Sequence, residues 1–300
     1  MTRFELSFYK HLHFYRRLTQ WLALFFIFLV PFLNRHGYHQ IIGTFYSIRI
    51  GQMDLMDPAL MFQTIVLSKQ VSWEIIIAGM VPIILAFLLG KVFCSWVCPY
   101  NLLAEYVAKW RKRLFPKKKY VLNRNPKAHL YWTILGAIFT ILMILGIPLI
   151  TLVSFPGLLS SQAADLILNG TLGVEIFLVL VVLLLEFFVA PHFWCKYACP
   201  VGATLALFRN KHTLHIHFDP QGCTCDSVRD LSCNQACPLG LDPRHADIYP
   251  YCYNCGECIY SCHQHHGKSL SFSFRSQDKK NAFQPNIKNN IQRSIKEVNA

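Results

Sequence analysis

A short motif of two cysteines and a proline occurs twice in this chain, each time directly after an apolar run. The first copy is "FCSWVCPYN", with Cys94 and Cys98, and the second is "WCKYACPVG", with Cys195 and Cys199. Both read C-x3-C-P, and equivalent cysteines are 101 residues apart. Identical spacing after the same kind of run predicts two copies of one structural unit in the same orientation.

The composition indicates a membrane protein. Hydrophobic residues make up 53% of the 300 residues and charged residues only 15%, against about 25% charged in a typical soluble domain. Four apolar runs stand out, at residues 18–33, 73–92, 130–153 and 172–189. Runs of about 20 apolar residues predict membrane-crossing helices. The predicted fold is therefore mainly α: a four-helix transmembrane bundle built as a parallel repeat, with each repeat ending in C-x3-C-P.

The basic residues predict the orientation of these helices. The formal net charge is +13, and lysine and arginine concentrate in the N-terminal segment and in "KWRKRLFPKKKY" after the second run. The loop between the third and fourth runs has no basic residue. Because basic loops favour the cytoplasmic side, both termini and all cysteine motifs are predicted to be cytoplasmic in a bacterial inner membrane, where thiols stay reduced. The position of the basic residues beside apolar runs argues against nucleic-acid binding.

Each repeat carries a further helix-like segment between its two apolar runs. In the first repeat the segment is "MDPALMFQTIVL", where Asp57 is a predicted N-cap and Pro58 the first helical residue. In the second repeat it is "LLSSQAADLIL". Both segments are expected in loops on the outer side of the membrane.

The strongest metal-binding signal is "CYNCGECIYSC", which holds Cys252, Cys255, Cys258 and Cys262. Its C-x2-C-x2-C-x3-C spacing is that of bacterial ferredoxins, in which three thiolates of one tight turn hold one [4Fe–4S] cluster and the last cysteine ligates the other. Structural zinc sites more often use separated C-x2-C pairs around a single ion. The motif therefore predicts an iron–sulfur cluster rather than zinc.

A second cysteine motif, "CTCDSVRDLSCNQACP", precedes the first and has irregular spacing. One residue and then seven separate its first three cysteines. By the ferredoxin exchange of last cysteines, two [4Fe–4S] clusters are predicted, with all eight cysteines as metal ligands. Cluster one takes Cys223, Cys225, Cys233 and Cys262, and cluster two takes Cys252, Cys255, Cys258 and Cys237.

The role of the four C-x3-C-P cysteines stays open at this point. They ligate a further metal centre together, as four thiolates do in iron–sulfur sites. Alternatively, they are redox-active thiols or small buried side chains at helix ends. The duplicated spacing and proline favour the first two roles over the third.

These features divide the chain into four parts. Residues 1–17 are predicted to form a cytoplasmic N-terminal tail and residues 18–202 the transmembrane domain. Residues 203–275 are predicted to form a small ferredoxin-like α+β domain that holds both clusters. Residues 276–300 have almost no apolar content, which predicts a disordered basic tail.

Four apolar runs, two C-x3-C-P motifs and a two-cluster ferredoxin region together resemble the NapH/MauN type of membrane ferredoxin, over residues 15–272. The resemblance implies an iron–sulfur subunit of a quinol dehydrogenase. Such a subunit takes electrons from the membrane quinol pool and passes them to a partner redox protein, a periplasmic ferredoxin or cytochrome. Broader relatives include membrane ferredoxins of cytochrome oxidase assembly, so the alternative function is to reduce or deliver copper.

A quinol site needs groups that accept protons. Glu186 lies within the fourth run, where an ionisable residue indicates function. Glu74 and Glu175 lie at the outer ends of the second and fourth runs, where simple solvation explains them equally well. His36 and His39 in the first outer loop are further proton-handling candidates.

Other polar residues carry weaker signals. In the first outer loop, Arg49, Asp54 and Asp57 are no stronger candidates than the histidines. The segment "HTLHIHF" alternates histidine with apolar residues, which predicts a strand with a polar face. Metal binding is an alternative role for the histidines near the second motif, which are His192, His212, His215 and His217.

Overall fold

The computed structural model describes residues 3–115, 128–146, 148–219, 232–244, 248–264 and 269–274. Within these ranges the chain is mainly helical. The helices are α1 (Arg3–Arg35), α2 (Pro58–Ser68), α3 (Trp73–Leu89), α4 (Val92–Trp96), α5 (Pro99–Leu114), α6 (Ala128–Leu145), α7 (Leu149–Val153), α8 (Phe155–Asn169), α9 (Glu175–Phe188), α10 (Phe193–Tyr197), α11 (Pro200–Leu207), α12 (Ser232–Gln235) and α13 (Glu257–Gln264). The strands are β1 (Ile41–Gly43), β2 (Ser47–Ile50), β3 (Met53–Met56), β4 (His215–Phe218) and β5 (Leu270–Ser273). The predicted tail at 276–300 lies outside the described residues.

Helix α1 contains the whole first apolar run and begins well before it, at Arg3. Residues 3–17 are therefore helical rather than a separate tail. The stretch His11–Arg35 is the one single helix in the described ranges that is long and apolar enough to cross a membrane. The bent pair Glu175–Phe188 and Phe193–Leu207, with 92° between its parts, is a second candidate if it counts as one span. The mainly helical class is confirmed; this measure finds one or two spans in the described ranges, and the bundle of four spans stays a prediction.

The later apolar runs form shorter helices than predicted. α3 and α9 correspond to the second and fourth runs, but α3 ends three residues early, and α9 begins three residues late and ends one early. The third run was predicted as one span over 130–153, and this boundary is wrong. α6 ends at Leu145, because Gly146 adopts a φ of +64°, which an α-helix does not accommodate, and Pro148 follows it closely. The rest of the run forms the separate short helix α7.

Helices α2 and α8 are the two helix-like segments predicted between the apolar runs, and both are confirmed as helices. Asp57 is the N-cap of α2, where its side chain accepts a hydrogen bond from the backbone N–H of Ala59 at 3.0 Å. The starts of these helices do not stay in an outer loop. Ala59 packs in one cluster with Cys199, and Phe155 packs in another with Cys98. Both helices therefore begin against the C-x3-C-P motifs.

A three-stranded antiparallel sheet precedes α2 and was not predicted. Its strands pair in the order β1–β2–β3, with Ile42 opposite Arg49 and Arg49 opposite Asp54. The turn between β1 and β2 is held against α8, because the backbone N–H of Phe45 donates to the Ser160 hydroxyl at 2.9 Å. The sheet of the first repeat is thus fastened to helix α8 of the second repeat.

The C-terminal part is a small α+β unit. β4 pairs antiparallel with β5, with His215 opposite Ser273 and Phe218 opposite Leu270. The strand predicted at "HTLHIHF" is thereby confirmed, although His215 is buried rather than on a polar face. Helix α13, which carries two cysteines, packs in the same core as Ile216 and Leu270.

Candidate metal centres and the electron path

Four cysteines of the C-terminal part line one small cavity. They are the cysteines predicted for cluster two, namely Cys237, Cys252, Cys255 and Cys258. The remaining walls are apolar and include Ile216, Leu239 and Ile248. An apolar shell of this kind limits water access and helps to set the potential of an enclosed cluster.

The surroundings of Cys237 show how this cavity treats a thiol. Burial raises the pKa of Cys237 to about 11, although the backbone N–H of Leu241 donates to its sulfur at 3.3 Å. Metal ligation requires the thiolate, so binding to these cysteines releases protons. Three buried thiols and the half-buried Cys237 surround one space, and with an N–H donor to sulfur they form a donor set that fits a [4Fe–4S] cluster.

The loop that carries three of these cysteines is shaped by two left-handed residues. Asn254 has a φ of +53° and Gly256 a φ of +78°. The Asn254 side chain donates to the carbonyl of Leu214 at 2.7 Å and to that of Leu89 at 3.2 Å. The cluster loop is therefore tied both to strand β4 and to the end of α3.

The cysteines predicted for cluster one are only partly described. Cys233 and Cys262 are buried in the same core as the cluster-two cysteines, and the Cys262 sulfur lies 3.2 Å from the Ser269 hydroxyl. Cys223 and Cys225 lie outside the described residues. The ligand set of cluster one stays a prediction.

The four C-x3-C-P cysteines also line a single cavity. We call Cys94, Cys98, Cys195 and Cys199 the cysteine quartet, and all four surround this space. The second cysteine of each motif has the same local structure. Cys98 caps α5 and Cys199 caps α11, and in each case a proline is the first helical residue.

Backbone donors face the capping sulfurs in both repeats. The N–H groups of Asn101 and Tyr100 hydrogen-bond to Cys98, and those of Gly202 and Val201 hydrogen-bond to Cys199. Burial raises the pKa of both Cys98 and Cys199, and the N–H groups at the helix starts offset part of that rise because they stabilise a negative charge. The repeat predicted from the motifs is therefore a repeat in local geometry as well.

Side chains in and beside the two motifs also hydrogen-bond to the loops that carry the ferredoxin cysteines. Ser95 donates to the carbonyl of Tyr253 at 2.7 Å, and Lys91 donates to that of Pro250 at 3.1 Å. In the second motif, Lys196 donates to the carbonyl of Leu239 at 3.2 Å. The first motif therefore holds the loop before Cys255, and the second holds the loop after Cys237.

Tyr253 connects the two cysteine sites. It is 3% exposed and lines both the quartet cavity and the cavity of cluster two. The two sites are therefore neighbours across one side chain. The sequence did not predict that the two sites are neighbours, because Tyr253 is not one of the cysteines that define its motif.

A buried ion-pair network fixes α1 to this assembly. Arg16 donates to both oxygens of Glu105 on α5, at 2.6 and 3.0 Å, and pairs with Glu257 on α13 at 2.8 Å. Burial by itself would raise the pKa of Glu105, but the adjacent Arg16 holds that pKa below its usual range. No sequence motif marks these residues, since Arg16 and Glu105 are 89 positions apart.

The acids named as proton-handling candidates lie in different environments. Glu186 is buried, and its Oε1 accepts from the backbone N–H of Trp194 at 3.1 Å, which ties α9 to α10. Glu74 and Glu175 are exposed and lie in the first turns of α3 and α9. An acid in the first turn complements the helix dipole, so this position explains both residues without a proton-transfer role.

The predicted histidine candidates do not form a site in the described ranges. His36 and His39 are exposed, and so is His212. His192 and His215 are buried, and burial lowers the pKa of His192 to about 4. Over the residues that the structure describes, no three His, Cys, Asp or Glu side chains close around a single metal ion.

A comparison with known protein families bears on the cysteine quartet. A family described as a 4Fe-4S binding domain matches residues 71–118 and 172–217. Each segment contains the second apolar run and the C-x3-C-P motif of one repeat, and the cysteines within them are those of the quartet. No solved structure matches the chain.

Relatives of similar length also match. An uncharacterised protein of Methanocaldococcus jannaschii is 30% identical over 67% of this chain and 79% of its own length. The ferredoxin-type protein NapH of Haemophilus influenzae is 26% identical over 76% of this chain and 78% of its own. The methylamine utilization ferredoxin-type protein MauN of Paracoccus denitrificans is 27% identical, over 77% and 69% respectively.

The cysteine sites and these matches define an iron–sulfur electron-transfer protein with a 4Fe–4S ferredoxin domain. More narrowly, the chain belongs to the NapH/MauN family of ferredoxin-type proteins, as the resemblance of its motifs predicted.

Proposed function

We propose that this protein is the membrane subunit of a quinol dehydrogenase, which takes electrons from a quinol and passes them to a partner redox protein. The observation that carries the proposal is the adjacency of the quartet cavity and the cluster-two cavity, with Tyr253 lining both. Bound clusters supply one-electron carriers. Oxidation of one quinol releases two electrons and two protons; the cysteines of the two predicted ligand sets would hold [4Fe–4S] clusters, each of which would supply a one-electron acceptor, and the protons leave for protein groups and water.

The predicted ligand sets are part of this proposal. Cluster two is held by the four cysteines that line one cavity, with Cys237 supplied by the neighbouring motif. Cluster one takes Cys233 and Cys262 together with Cys223 and Cys225. The apolar shell and the N–H donors tune the potentials of these centres.

The cysteine quartet holds a further iron–sulfur centre in this proposal. Its four thiols surround one space, and two of them receive backbone N–H donors in the same way. The segments matched by the 4Fe-4S binding family contain these cysteines and exclude those of the ferredoxin loops. Joint ligation therefore accounts for the quartet better than four separate structural thiols.

The same proposal places residues 18–202 in the inner membrane of a bacterium as a multi-pass domain. The shorter apolar helices α3 and α6 support this arrangement, together with α1 and the bent pair that α9 forms with the segment Phe193–Leu207. Residues 203–275 form the ferredoxin domain on the cytoplasmic side, where the basic segments also lie. The acceptor is a redox protein, a ferredoxin or cytochrome that collects electrons from the clusters.

Anaerobic purification followed by iron, sulfide and EPR measurements tests this function. Two [4Fe–4S] clusters correspond to about eight irons and eight sulfides per chain, and the quartet centre adds to that number. Addition of decylubiquinol or menadiol should then produce the EPR signals of reduced clusters. Protein that holds zinc without sulfide, or clusters that dithionite reduces and neither quinol does, would overturn the proposal.

A further inference from the structure

An apolar cavity of about 320 Å³ lies beneath the three-stranded sheet. Its walls come from the sheet, from the end of α3 and from the start of α11, and they are almost entirely hydrocarbon. Thr44 and Asp57 provide the polar side chains among the residues that line it. Cavities of this size with few polar groups are typical of small-molecule sites.

Asp57 presents an unused hydrogen-bond acceptor to this cavity. One carboxylate oxygen accepts from the N–H of Ala59, as an N-cap does. Within the described ranges, no donor reaches the second oxygen. A carboxylate beside an apolar space is costly unless a donor pairs with it, so this oxygen indicates a ligand that carries a hydroxyl or an N–H.

Thr44 adds a hydrogen-bond donor at the same end of the sheet. Its hydroxyl oxygen accepts from the backbone N–H of Tyr46 at 3.3 Å. The hydroxyl proton has no acceptor among the residues that the structure describes. The cavity therefore offers one acceptor and one donor on otherwise apolar walls, which suits a flat ring with two oxygen substituents.

The cavity adjoins the cysteine quartet. Phe93, Pro156 and Val201 line both this space and the quartet cavity. A ring bound here is therefore separated from the quartet by shared side chains and not by another layer of structure.

The cavity also reaches the apolar outer face of α3. Leu85, which lines it, is 51% exposed, and its neighbours Val81, Ile84 and Leu88 are exposed on the same helix. A large exposed apolar face indicates contact with lipid or with another protein. A ligand dissolved in the bilayer can enter beside Leu85 without crossing water.

We infer that this cavity binds the quinol ring, with the Asp57 carboxylate accepting a hydrogen bond from one ring hydroxyl and Thr44 donating to the other ring oxygen. The inference rests on the proposed function and locates its substrate. On oxidation, two electrons leave the ring for the iron–sulfur centres of the protein. The two hydroxyl protons leave for the Asp57 carboxylate and for water.

Photolabelling tests the location directly. Purified protein in detergent is illuminated with an azido-ubiquinone, and the labelled peptides are mapped by mass spectrometry with and without excess decylubiquinol. We expect label on residues 44–58 and 82–97, and competition by decylubiquinol. Label confined to other segments would overturn the inference, whether or not quinol reduces the protein.

Substitutions then test the polar contact and the space. Asp57→Asn should slow cluster reduction by decylubiquinol about 100-fold, the usual range for loss of a general base, while reduction by dithionite stays unchanged. Ala86→Phe should block azido-ubiquinone labelling, since the buried Ala86 lines the cavity. The matched controls are Asp165→Asn on α8 and Ile84→Phe on the outer face of α3, neither of which lines the cavity.

The outcomes separate this inference from the proposed function. Wild-type protein that quinol reduces, with both Asp57→Asn and Ala86→Phe as fast as their controls, overturns the cavity and leaves the function. Wild-type protein that binds label at the cavity but is not reduced by quinol overturns the function and leaves a quinone-binding site. An equal loss in Asp57→Asn and Asp165→Asn indicates general damage and counts against the specific contact.

Discussion

The two repeats position their cysteines in the same way, but they differ in the side chains at the starts of α2 and α8, the helices between their apolar runs. In the first repeat, Asp57 caps α2 beside an open apolar cavity. In the second, Phe155 begins α8 and is fully buried, with its ring 4.4 Å from that of Trp194 and 4.9 Å from that of Tyr100. Both repeats therefore position their thiols in the same way, whereas the side chain at the start of α2 or α8 decides whether a cavity is present beside it.

The two repeats are symmetric around the cysteine quartet. Cys98 and Cys199 each cap a helix that begins with proline, and each receives two backbone N–H donors. The two repeats are thus alike where Cys98 and Cys199 cap their helices. They differ at the starts of α2 and α8, and the quinol is proposed to bind beside α2.

The largest expected effect comes from removing a cysteine of the quartet, around which the two repeats are symmetric. Cys98→Ser and Cys199→Ser should each remove the quartet centre and slow cluster reduction by decylubiquinol at least 100-fold, because each thiol supplies one of four ligands. Iron counts and EPR on anaerobically purified variants measure this. The iron of the two ferredoxin clusters, about eight atoms, should remain in both variants.

Equal losses in the two variants support one shared centre. Two outcomes contradict it. In the first, both variants keep the wild-type iron content, which makes the quartet a set of thiols without metal. In the second, only one of the two variants loses iron, which assigns the metal to one repeat.

A second prediction concerns helices α5 and α11, which follow the two motifs. Glu105 on α5 holds the buried Arg16, whereas the residue 101 positions later on α11 is Ala206. Glu105→Gln should lower the free energy of unfolding by about 4 kcal/mol, because it leaves a buried guanidinium with one carboxylate fewer. Thermal unfolding followed by circular dichroism measures the loss, with the exposed Glu74→Gln as the control.

The pH dependence of this loss follows from the lowered pKa of Glu105. A carboxyl whose pKa is lower in the folded state stabilises the protein above its unfolded pKa, about 4.3 for glutamate. That contribution is lost as the pH falls through the folded pKa. The difference between wild type and Glu105→Gln should therefore be constant above about pH 5 and shrink below pH 4; a difference that grows in acid would contradict this assignment.

Much of the helical frame could be predicted from local signals. Apolar runs marked α3 and α9, and Asp57 followed by Pro58 marked the start of α2. The same reasoning could not show that α2 and α8 begin against the cysteines, since that depends on packing between distant segments. Local signals also predicted one continuous helix through Gly146, where the backbone has a positive φ and is no longer helical.

The candidate site shows the same division. The ferredoxin spacing predicted which cysteines share the cluster-two cavity, because three of them come from one turn. Tyr253, Lys91 and the Arg16–Glu105 pair have no sequence signature, because each acts through partners far away in the chain. The sequence made Asp57 only a minor candidate, because it did not predict the three-stranded sheet that forms a cavity beside this residue.

A third prediction concerns the second repeat, where the Phe155 side chain fills the space at the start of α8. Phe155→Ala removes a fully buried ring from its stack with Trp194 and should lower the free energy of unfolding by about 3 kcal/mol. The exposed Phe188→Ala is the control and should change it by less than about 0.5 kcal/mol. Because Asp57 and Thr44 line the other cavity, labelling by azido-ubiquinone should stay where it is in the wild type. New label on α8 would show that space alone, without Asp57, suffices for binding.

The smallest expected effect separates two acids of the first repeat that lie three residues apart. Asp54 pairs with Arg49 on the open face of the sheet, with side chains 37% and 63% exposed. Exposed ion pairs contribute little, because water screens them and ordering two long side chains costs entropy. Asp54→Asn should therefore leave both the melting temperature and the rate of cluster reduction by decylubiquinol at wild-type values. A rate as slow as that of Asp57→Asn would mean that the negative charge of the sheet, and not the carboxylate at the cavity, is what the quinol requires.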